Sequence, residues 1–290
     1  MPRSAAVDGF ELAYERFPAA SAAVVLLHGW PGDRHDWDDV AALLADAVDV
    51  VVCDLRGFGE SDKHLHDPGD AYSAAAQARS VLGLVEELSL APVVLAGYDV
   101  GSRVAQTIAR AAPSAVRALV LAPPLPGAGR RVLHPDAQRE FWYQPFHQLP
   151  VSARLLDGSP AAIRLYLEHF WTHWSGPSFE PSPAHLDRLA EVYGEPGAFT
   201  ASIGWYRAGS GGVARALSET PPAAAGRIAA PTTVLWPAHD PLFPFDWSDH
   251  LDDYFADVTL HRLETAGHFS PLEAPSDFAT AIRAALNTPR

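Results

Sequence analysis

Four short and almost wholly apolar segments, separated by stretches of helical periodicity, constrain the fold of this chain more than any other feature. They span residues 22–27, 48–53, 92–96 and 116–121. A strand that is apolar on both faces fits the interior of a parallel sheet whose faces are covered by helices. Segments such as 36–47 and 73–90 place apolar residues three and four positions apart, as amphipathic helices do. The alternation predicts β-α-β units and a mostly parallel sheet.

The alternation stops at the proline-rich segment PPLPGA, residues 123–128, and returns only after Pro221 and Pro222. Between these points the sequence is helical in pattern and rich in aromatic residues. Beyond them we predict strands over 232–236 and 258–263 and helices over 247–255 and 275–286. We interpret the chain as an α/β core interrupted by a helical cap: core 1–128, cap 129–211 and core 212–290. The weakly alternating residues 7–17 predict an opening hairpin.

Charge and cysteine content exclude several classes of function. Lys and Arg number 21 against 35 Asp and Glu, which gives 21 − 35 = −14. Nucleic acids and anionic membranes require a basic face, so we expect neither as a partner. The single cysteine, Cys53, excludes an internal disulfide and a cysteine-based metal site. We predict a cytoplasmic protein, because the N-terminus lacks the apolar core of a signal peptide and no apolar run approaches the ~20 residues of a spanning helix.

The segment Gly97-Tyr98-Asp99-Val100-Gly101 joins a predicted buried strand to a predicted helix. Small residues on both sides of a central nucleophile allow the sharp turn called a nucleophile elbow. The usual serine is replaced by Asp99, whose carboxylate can displace a leaving group from saturated carbon and form an ester on the enzyme. The neighbouring helix N-terminus favours its ionised form. Asp99 is therefore the candidate nucleophile, and the competing interpretation is a helix-capping aspartate.

In a fold with a nucleophile elbow, the acid and then the histidine base follow the nucleophile in the chain. Asp240 and His268 each come just after a predicted strand, where open α/β sheets place their sites. We assign His268 as the base and Asp240 as the residue that orients it. His239 and His261 are the rival bases, and Asp246 and Asp249 are the rival acids.

At this point the chain resembles the α/β-hydrolase superfamily over nearly its whole length. The matching segments are HGWPG (28–32), DLRGFGESD (54–62), GYDVGSRVAQ (97–106), LWPAHDPLFP (235–244) and AGHFSPLEAP (266–275). The resemblance implies an α/β-hydrolase fold: a mostly parallel eight-stranded sheet, flanked by helices, with a helical cap. It also implies that the backbone N–H groups of Trp30 and Val100 form the oxyanion hole, with the side chain of His28 structural.

Two tyrosines narrow the resemblance to soluble epoxide hydrolases. Tyr143 lies in a Tyr-Gln pair and Tyr206 in a Trp-Tyr-Arg triplet, as do the two ring-opening tyrosines of that family. Phenol O–H groups can donate hydrogen bonds to the alkoxide that forms when an epoxide opens. The resemblance adds four substrate-binding residues: Trp30, Trp142, Gln144 and Trp205. Tyr166 and Tyr193 are interpreted as packed aromatics.

Val100 occupies a position that separates related families. Haloalkane dehalogenases typically have Trp after the nucleophile, and fluoroacetate dehalogenases have Arg there. Soluble epoxide hydrolases often have Trp there too, so Val100 leaves the size of the substrate open. A dehalogenase that uses Asp99 and His268 is the main alternative, and a non-catalytic protein that binds a hydrophobic ligand is a more remote one.

The resemblance also sets the expected partners. They are a small hydrophobic epoxide and water, with no cofactor and no metal, and a homodimer remains an open possibility. His64 and His66 are interpreted as part of a solvated surface.

Overall fold

A computed structural model describes residues 1–287, and a seven-stranded sheet lies at its centre. The strands are β1 (Tyr14–Phe17), β2 (Ala23–Leu27), β3 (Asp49–Cys53), β4 (Val93–Gly97), β5 (Val116–Leu121), β6 (Thr232–Pro237) and β7 (Val258–Leu263). Their order is β1-β3-β2-β4-β5-β6-β7. Only β1 runs antiparallel to its neighbour, so the predicted mostly parallel sheet is confirmed.

The central strands are the apolar segments of the sequence. Every residue of β2, β3 and β4 is buried. The edge strand β7, by contrast, is mostly exposed. The predicted bounds agree with the observed strands to within one residue, because a continuous apolar run is needed wherever helices cover both faces of a strand.

The expected eighth strand is wrong for the described residues. The segment before β1 pairs only through two isolated bridges, Arg3 with Ala13 and Val7 with Phe10. Side chains take the N–H groups that a longer ladder would use: those of Leu12 and Ala13 donate to the Oγ atoms of Ser4 and Ser61, at 2.9 and 2.8 Å. Side-chain acceptors of this kind compete with strand pairing, so the predicted hairpin forms only in part.

Helices cover both faces of the sheet and fill the chain between β5 and β6. Those before β5 are α1 (Asp38–Leu44), α2 (Pro68–Ala71), α3 (Ala74–Glu87) and α4 (Asp99–Ala111). Those between β5 and β6 are α5 (Pro135–Glu140), α6 (Tyr143–Gln148), α7 (Pro150–Leu156), α8 (Pro160–His173), α9 (Pro183–Gly194), α10 (Ala198–Ser202), α11 (Gly204–Arg207) and α12 (Gly212–Ser218). Those after β7 are α13 (Ser270–Glu273) and α14 (Pro275–Asn287).

Short 3₁₀ helices complete the secondary structure. They span Arg34–Trp37, Pro113–Ala115, Gly129–Leu133, Ala224–Gly226 and Phe245–Asp253. The last of these replaces the helix predicted over 247–255 by a tighter one that begins two residues earlier. The partition of the chain into core and cap stays a prediction, with boundaries at 128 and 211. Within residues 1–287, no helix combines the length and the apolar character needed to cross a membrane.

The turn from β4 into α4 brings backbones unusually close together. Asp99 has a φ of +46°, a left-handed conformation that is uncommon for residues other than glycine. The N–H of Gly101 donates to the carbonyl of His28 at 2.8 Å. A Cβ atom on Gly101 would lie 2.0 Å from the carbonyl oxygen of Leu27. The small residues of the predicted elbow therefore let α4 begin directly against the end of β2.

We expect Gly101→Ala to destabilise the protein by about 3 kcal/mol, at the upper end of the usual cost of forcing a methyl group into a packed site. The cost arises because Leu27 belongs to a central strand and cannot move away. Gly69→Ala is the matched control, since its added methyl would meet only the side chain of Asp67, at 3.1 Å. Urea unfolding of the two variants measures the difference, and equal midpoints would contradict the close approach.

Candidate active site

Asp99, His268 and Asp240 come together at the ends of three different strands. The Nδ1 atom of His268 lies 2.9 Å from Oδ2 of Asp240, a hydrogen bond between two buried side chains. On the other side of the ring, Nε2 lies 3.5 Å from Oδ2 of Asp99. That separation is an ion-pair distance rather than a hydrogen bond, and Nε2 has no hydrogen-bond partner among the described residues. His268 thus lies between Asp99 and Asp240 in space, as a base would between a nucleophile and an orienting acid.

The charges of the two aspartates control the protonation of His268. Burial lowers the pKa of an imidazole, but the negative charges of Asp240 and Asp99 outweigh it and raise the pKa of His268 to about 10. The ring is therefore protonated at neutral pH. Loss of either negative charge would favour the neutral ring.

Asp99 is also held from the side of β2. The backbone N–H of Trp30 donates to Oδ1 of Asp99 at 2.8 Å. Val100 follows Asp99 in the first turn of α4, where backbone N–H groups have no partner inside the helix. Both residues that were predicted to form an oxyanion hole thus lie beside the Asp99 carboxylate. The side chain of His28 points elsewhere, since its Nε2 accepts from the N–H of Leu55 at 3.0 Å.

Tyr143 and Tyr206 meet above Asp99, although they belong to different helices. Their rings lie 5.5 Å apart and almost perpendicular to each other, at 88°. Both line the cavity that contains Asp99. Burial raises the pKa of both phenols well above the ordinary value, so both stay protonated and can donate a hydrogen bond.

Gln144 orients the hydroxyl group of Tyr143. Its Oε1 accepts from the N–H of Val213 at 3.2 Å, which fixes which end of the amide is oxygen. Its Nε2 then donates to the Tyr143 hydroxyl oxygen at 3.2 Å. Because that oxygen accepts a hydrogen bond from Gln144, the Tyr143 hydroxyl can still donate its own proton to another acceptor.

The cavity beside Asp99 is small in this conformation. It measures about 10 Å³, roughly the space of one water molecule. Its lining includes the predicted residues Gln144 and Trp205, together with Phe243 and Ser210, which the sequence did not indicate. A surface groove of about 560 Å³ adjoins it, since both are lined by Arg103, Trp205 and Ser210. The cavity itself is too small for a substrate, so the groups around it must shift to admit one.

Two of the residues predicted to bind substrate lie elsewhere. The indole of Trp30 is buried behind the cavity and stacks on Tyr143, with ring centroids 5.4 Å apart and planes 3° apart. Trp142 is 41% exposed and packs against Phe170 on the outer side. Consecutive residues near the start of a helix point in different directions, so Trp142 turns outward where Tyr143 turns inward.

The rival acids and bases either contact other groups or lie exposed at the surface. His239 contacts the carbonyl of Glu264 at 3.1 Å, and Asp249 forms an ion pair with Arg131 at 2.9 Å. Both His261 and Asp246 lie at partly or fully exposed positions. Arg103 of α4 forms an ion pair at 2.7 Å with Glu219, the residue just after α12, so it links the end of α12 to α4.

The helices between β5 and β6 are hydrogen-bonded to the loop that carries Trp30. Trp171 Nε1 donates to the carbonyl of Pro31 at 3.1 Å, and the Tyr193 hydroxyl donates to that of Gly32 at 2.6 Å. Arg188 of α9 adds an ion pair with Asp33. Sequence spacing could not indicate these contacts, because they join segments more than a hundred residues apart.

A metal centre would require a different arrangement of side chains. Among residues 1–287, no three His, Cys, Asp or Glu side chains come together in a way that would hold a metal ion.

Comparison with known proteins identifies the fold family of this chain. Residues 22–275 match the family described as having the alpha/beta hydrolase fold. A solved epoxide hydrolase from metagenomes of hot environments superposes with a TM-score of 0.82 at 22% identity, covering 99% of this chain and 98% of the other. At that identity the likeness supports the fold alone.

Two curated relatives differ in their activities. The soluble epoxide hydrolase of Corynebacterium sp. is 28% identical over 93% of this chain and 92% of its own. The fluoroacetate dehalogenase of Burkholderia sp. is 30% identical over 64% of this chain and covers 62% of its own length.

We expect Asp240→Asn to change how the stability of the protein depends on pH. Because the folded-state pKa of His268 is about 10, its protonation stabilises the fold. This contribution is complete below the ordinary pKa of about 6.5 and is lost as the pH rises through 10. The wild-type free energy of unfolding should therefore fall more steeply over that range than that of Asp240→Asn, as measured by urea titration at several pH values.

Asp249→Asn is the control, because this exposed carboxylate contacts Arg131 and not His268. It should keep the wild-type slope. The assigned charge coupling would be wrong if Asp240→Asn kept that slope as well.

Proposed function

This chain belongs to the alpha/beta hydrolase fold family, and on that basis we propose that it is an epoxide hydrolase that converts an epoxide to a vicinal diol. Asp99 acts as nucleophile, His268 as base and Asp240 as the residue that orients the base. Tyr143 and Tyr206 act as the acids of ring opening. The resemblance to the Corynebacterium epoxide hydrolase over nearly the whole chain supports this assignment.

The position of the two phenols over Asp99 is the observation that carries the proposal. Tyr143 and Tyr206 line the same cavity as Asp99, and burial keeps both of them protonated. An epoxide held between them accepts two hydrogen bonds at its oxygen and presents a ring carbon to Asp99. The charge that develops on that oxygen is then stabilised in a buried site, where hydrogen bonds to a developing charge are strong.

In the first step, Oδ2 of Asp99 attacks a ring carbon and the carbon–oxygen bond of the epoxide breaks. Oδ1 stays hydrogen-bonded to the N–H of Trp30. A tyrosine supplies a proton to the released oxygen, which yields a hydroxyalkyl ester on Asp99.

Ester formation prepares His268 for the second step. The ester is neutral, so one of the two charges that raise the pKa of His268 disappears. The ring therefore passes its proton to the tyrosinate left by the first step, and the neutral ring then accepts a proton from the water that attacks the Asp99 carboxyl carbon. The N–H groups of Trp30 and Val100 stabilise the oxyanion. The ester bond between the Asp99 carboxyl carbon and the alkyl oxygen then breaks, His268 gives its proton to the leaving alkoxide, and the diol is released. The new carboxyl group of Asp99 passes its proton to His268, which restores the carboxylate and the protonated ring.

The lining of the cavity favours a small hydrophobic epoxide, with water as the second substrate. Four of its eleven lining residues are aromatic, the charged ones are Asp99 and Arg103, and Arg103 is paired with Glu219. No step requires a cofactor. We place the protein in the cytoplasm as part of this proposal.

A dehalogenase is the second candidate, because a fluoroacetate dehalogenase is among the relatives. It would use the same Asp99 and His268 but would need donors for a departing halide. Two phenols over Asp99 suit an alkoxide that must be protonated, so the epoxide remains the favoured substrate.

His268→Gln should trap the ester on Asp99, because the base that activates water is lost while the nucleophile remains. We expect intact-protein mass spectrometry to show a stable adduct after incubation with an aryl epoxide and none with a haloacetate. An adduct from the haloacetate alone would replace the proposal by the dehalogenase. His239→Gln is the control and should accumulate no adduct.

Tyr143→Phe and Tyr206→Phe should each lower kcat/KM for the epoxide by about 100-fold, the usual cost of losing one donor to a developing oxyanion. The double variant should form no measurable diol while its circular dichroism spectrum stays unchanged. Tyr166→Phe is the matched control, because its hydroxyl contacts His147 at 2.9 Å and does not line the cavity. Retained turnover in the double variant would remove both phenols from the mechanism.

A further inference from the structure

The carboxylate of Glu273 is surrounded by backbone donors. Glu273 is the last residue of α13, and its Oε2 accepts from the N–H of Gly267 at 2.7 Å and from that of Gly176 at 2.8 Å. Its Oε1 accepts from the N–H of Phe269 at 3.1 Å. One side chain thus satisfies three backbone donors, which is a strong arrangement because the acceptor is charged.

Two of these donors lie on either side of His268 in the chain, and the third belongs to the segment after α8. The N–H of His268 itself donates to the carbonyl of Trp174 in that segment, at 2.8 Å. The backbone at residues 267, 268 and 269 is therefore held at every N–H group. The ring of His268 packs edge-on against that of Trp174, with centroids 5.2 Å apart.

The backbone segments that carry Gly176 and Gly267 are packed tightly against each other. A Cβ atom on Gly176 would lie 2.7 Å from the nitrogen of Gly267, and one on Gly267 would lie 2.3 Å from the nitrogen of Gly176. The two N–H groups therefore share one acceptor, Oε2 of Glu273. Without it they would be left unpaired at an interface where neither strand nor helix supplies a partner.

We propose that Glu273 is a positioning residue for His268: its carboxylate holds the backbone on both sides of the histidine so that Nδ1 meets Asp240 while Nε2 faces Asp99. The role rests on the proposed function of the site. A displacement of about 1 Å in a reacting group can cost roughly 100-fold in rate, so a small shift of this loop should slow the step that uses His268 as base.

The charge of Glu273 belongs to the same argument. Burial raises its pKa, and the three N–H groups act in the opposite direction by stabilising the carboxylate. An amide at this position would accept at only one atom and would set its own N–H group against a backbone N–H group. Glu273→Gln therefore removes the arrangement with almost no change of shape.

The first test compares Glu273→Gln with Glu264→Gln. Glu264 is an exposed carboxylate four residues before His268 whose side chain pairs only loosely with Arg262, at 3.5 Å. In rapid mixing with an aryl epoxide, we expect Glu273→Gln to form the Asp99 adduct at nearly the wild-type rate and to hydrolyse it about 10- to 100-fold more slowly. Glu264→Gln should keep both rates.

The second test needs no substrate and so separates this inference from the proposed function. Nitrogen-15 NMR titration of the imidazole groups, with the His268 signals assigned by their loss in His268→Gln, reports the ring pKa. We expect a lower pKa for His268 in Glu273→Gln than in the wild type or Glu264→Gln, because the ring moves away from the two aspartates and also loses the nearby negative charge of Glu273. Failure of the wild type to open any epoxide would count against the proposed function alone.

Two results would overturn the role of Glu273. One is an unchanged His268 titration in Glu273→Gln together with an unchanged rate of adduct hydrolysis. The other is an equal loss in adduct formation and hydrolysis that follows a fall in Tm, since that pattern marks a general structural role.

Discussion

The close approach of α4 to the end of β2 is the constraint on which the rest of the site depends. The N–H of Gly101 reaches the carbonyl of His28, and Asp99 is held at a φ of +46° in the turn before it. Because Gly101 has no side chain, the helix can begin directly above the sheet, and its first turn points at the cavity. This approach also brings the Trp30 N–H to within 2.8 Å of the Asp99 carboxylate.

Burying ionisable groups at this site costs free energy, and the arrangement of the three groups offsets that cost. Asp99, Asp240 and His268 are all at least nine-tenths buried, where an isolated charge would be strongly unfavourable. His268 lies between the carboxyl groups of Asp99 and Asp240, and the Trp30 N–H and the start of α4 stabilise negative charge on Asp99. Ester formation would neutralise Asp99, so the same charges that stabilise the resting site also adjust the basicity of His268 during the proposed reaction.

The segment between β5 and β6 contributes to both sides of the site. It contacts the Trp30 loop through Trp171, Tyr193 and Arg188, and it contacts the His268 loop through Trp174 and Gly176. It also supplies Tyr143 and Tyr206 to the cavity. Because that cavity is small, groups around it have to shift to admit a substrate, and any motion of this segment acts on hydrogen bonds to the loops beside Asp99 and His268.

Periodicity and local motifs determined much of this protein from the sequence alone. The buried strands, the mostly parallel sheet and the family follow from them, as does the placement of Asp99, Asp240 and His268 at strand ends. These features are local, since an apolar run or a glycine-flanked turn needs only its own residues. Only the tertiary structure decided that seven strands form, that Trp142 turns outward while Tyr143 turns inward, and that Glu273 holds the loop of His268. Each depends on which distant groups compete for the same space or the same hydrogen bond, and spacing along the chain carries no record of that.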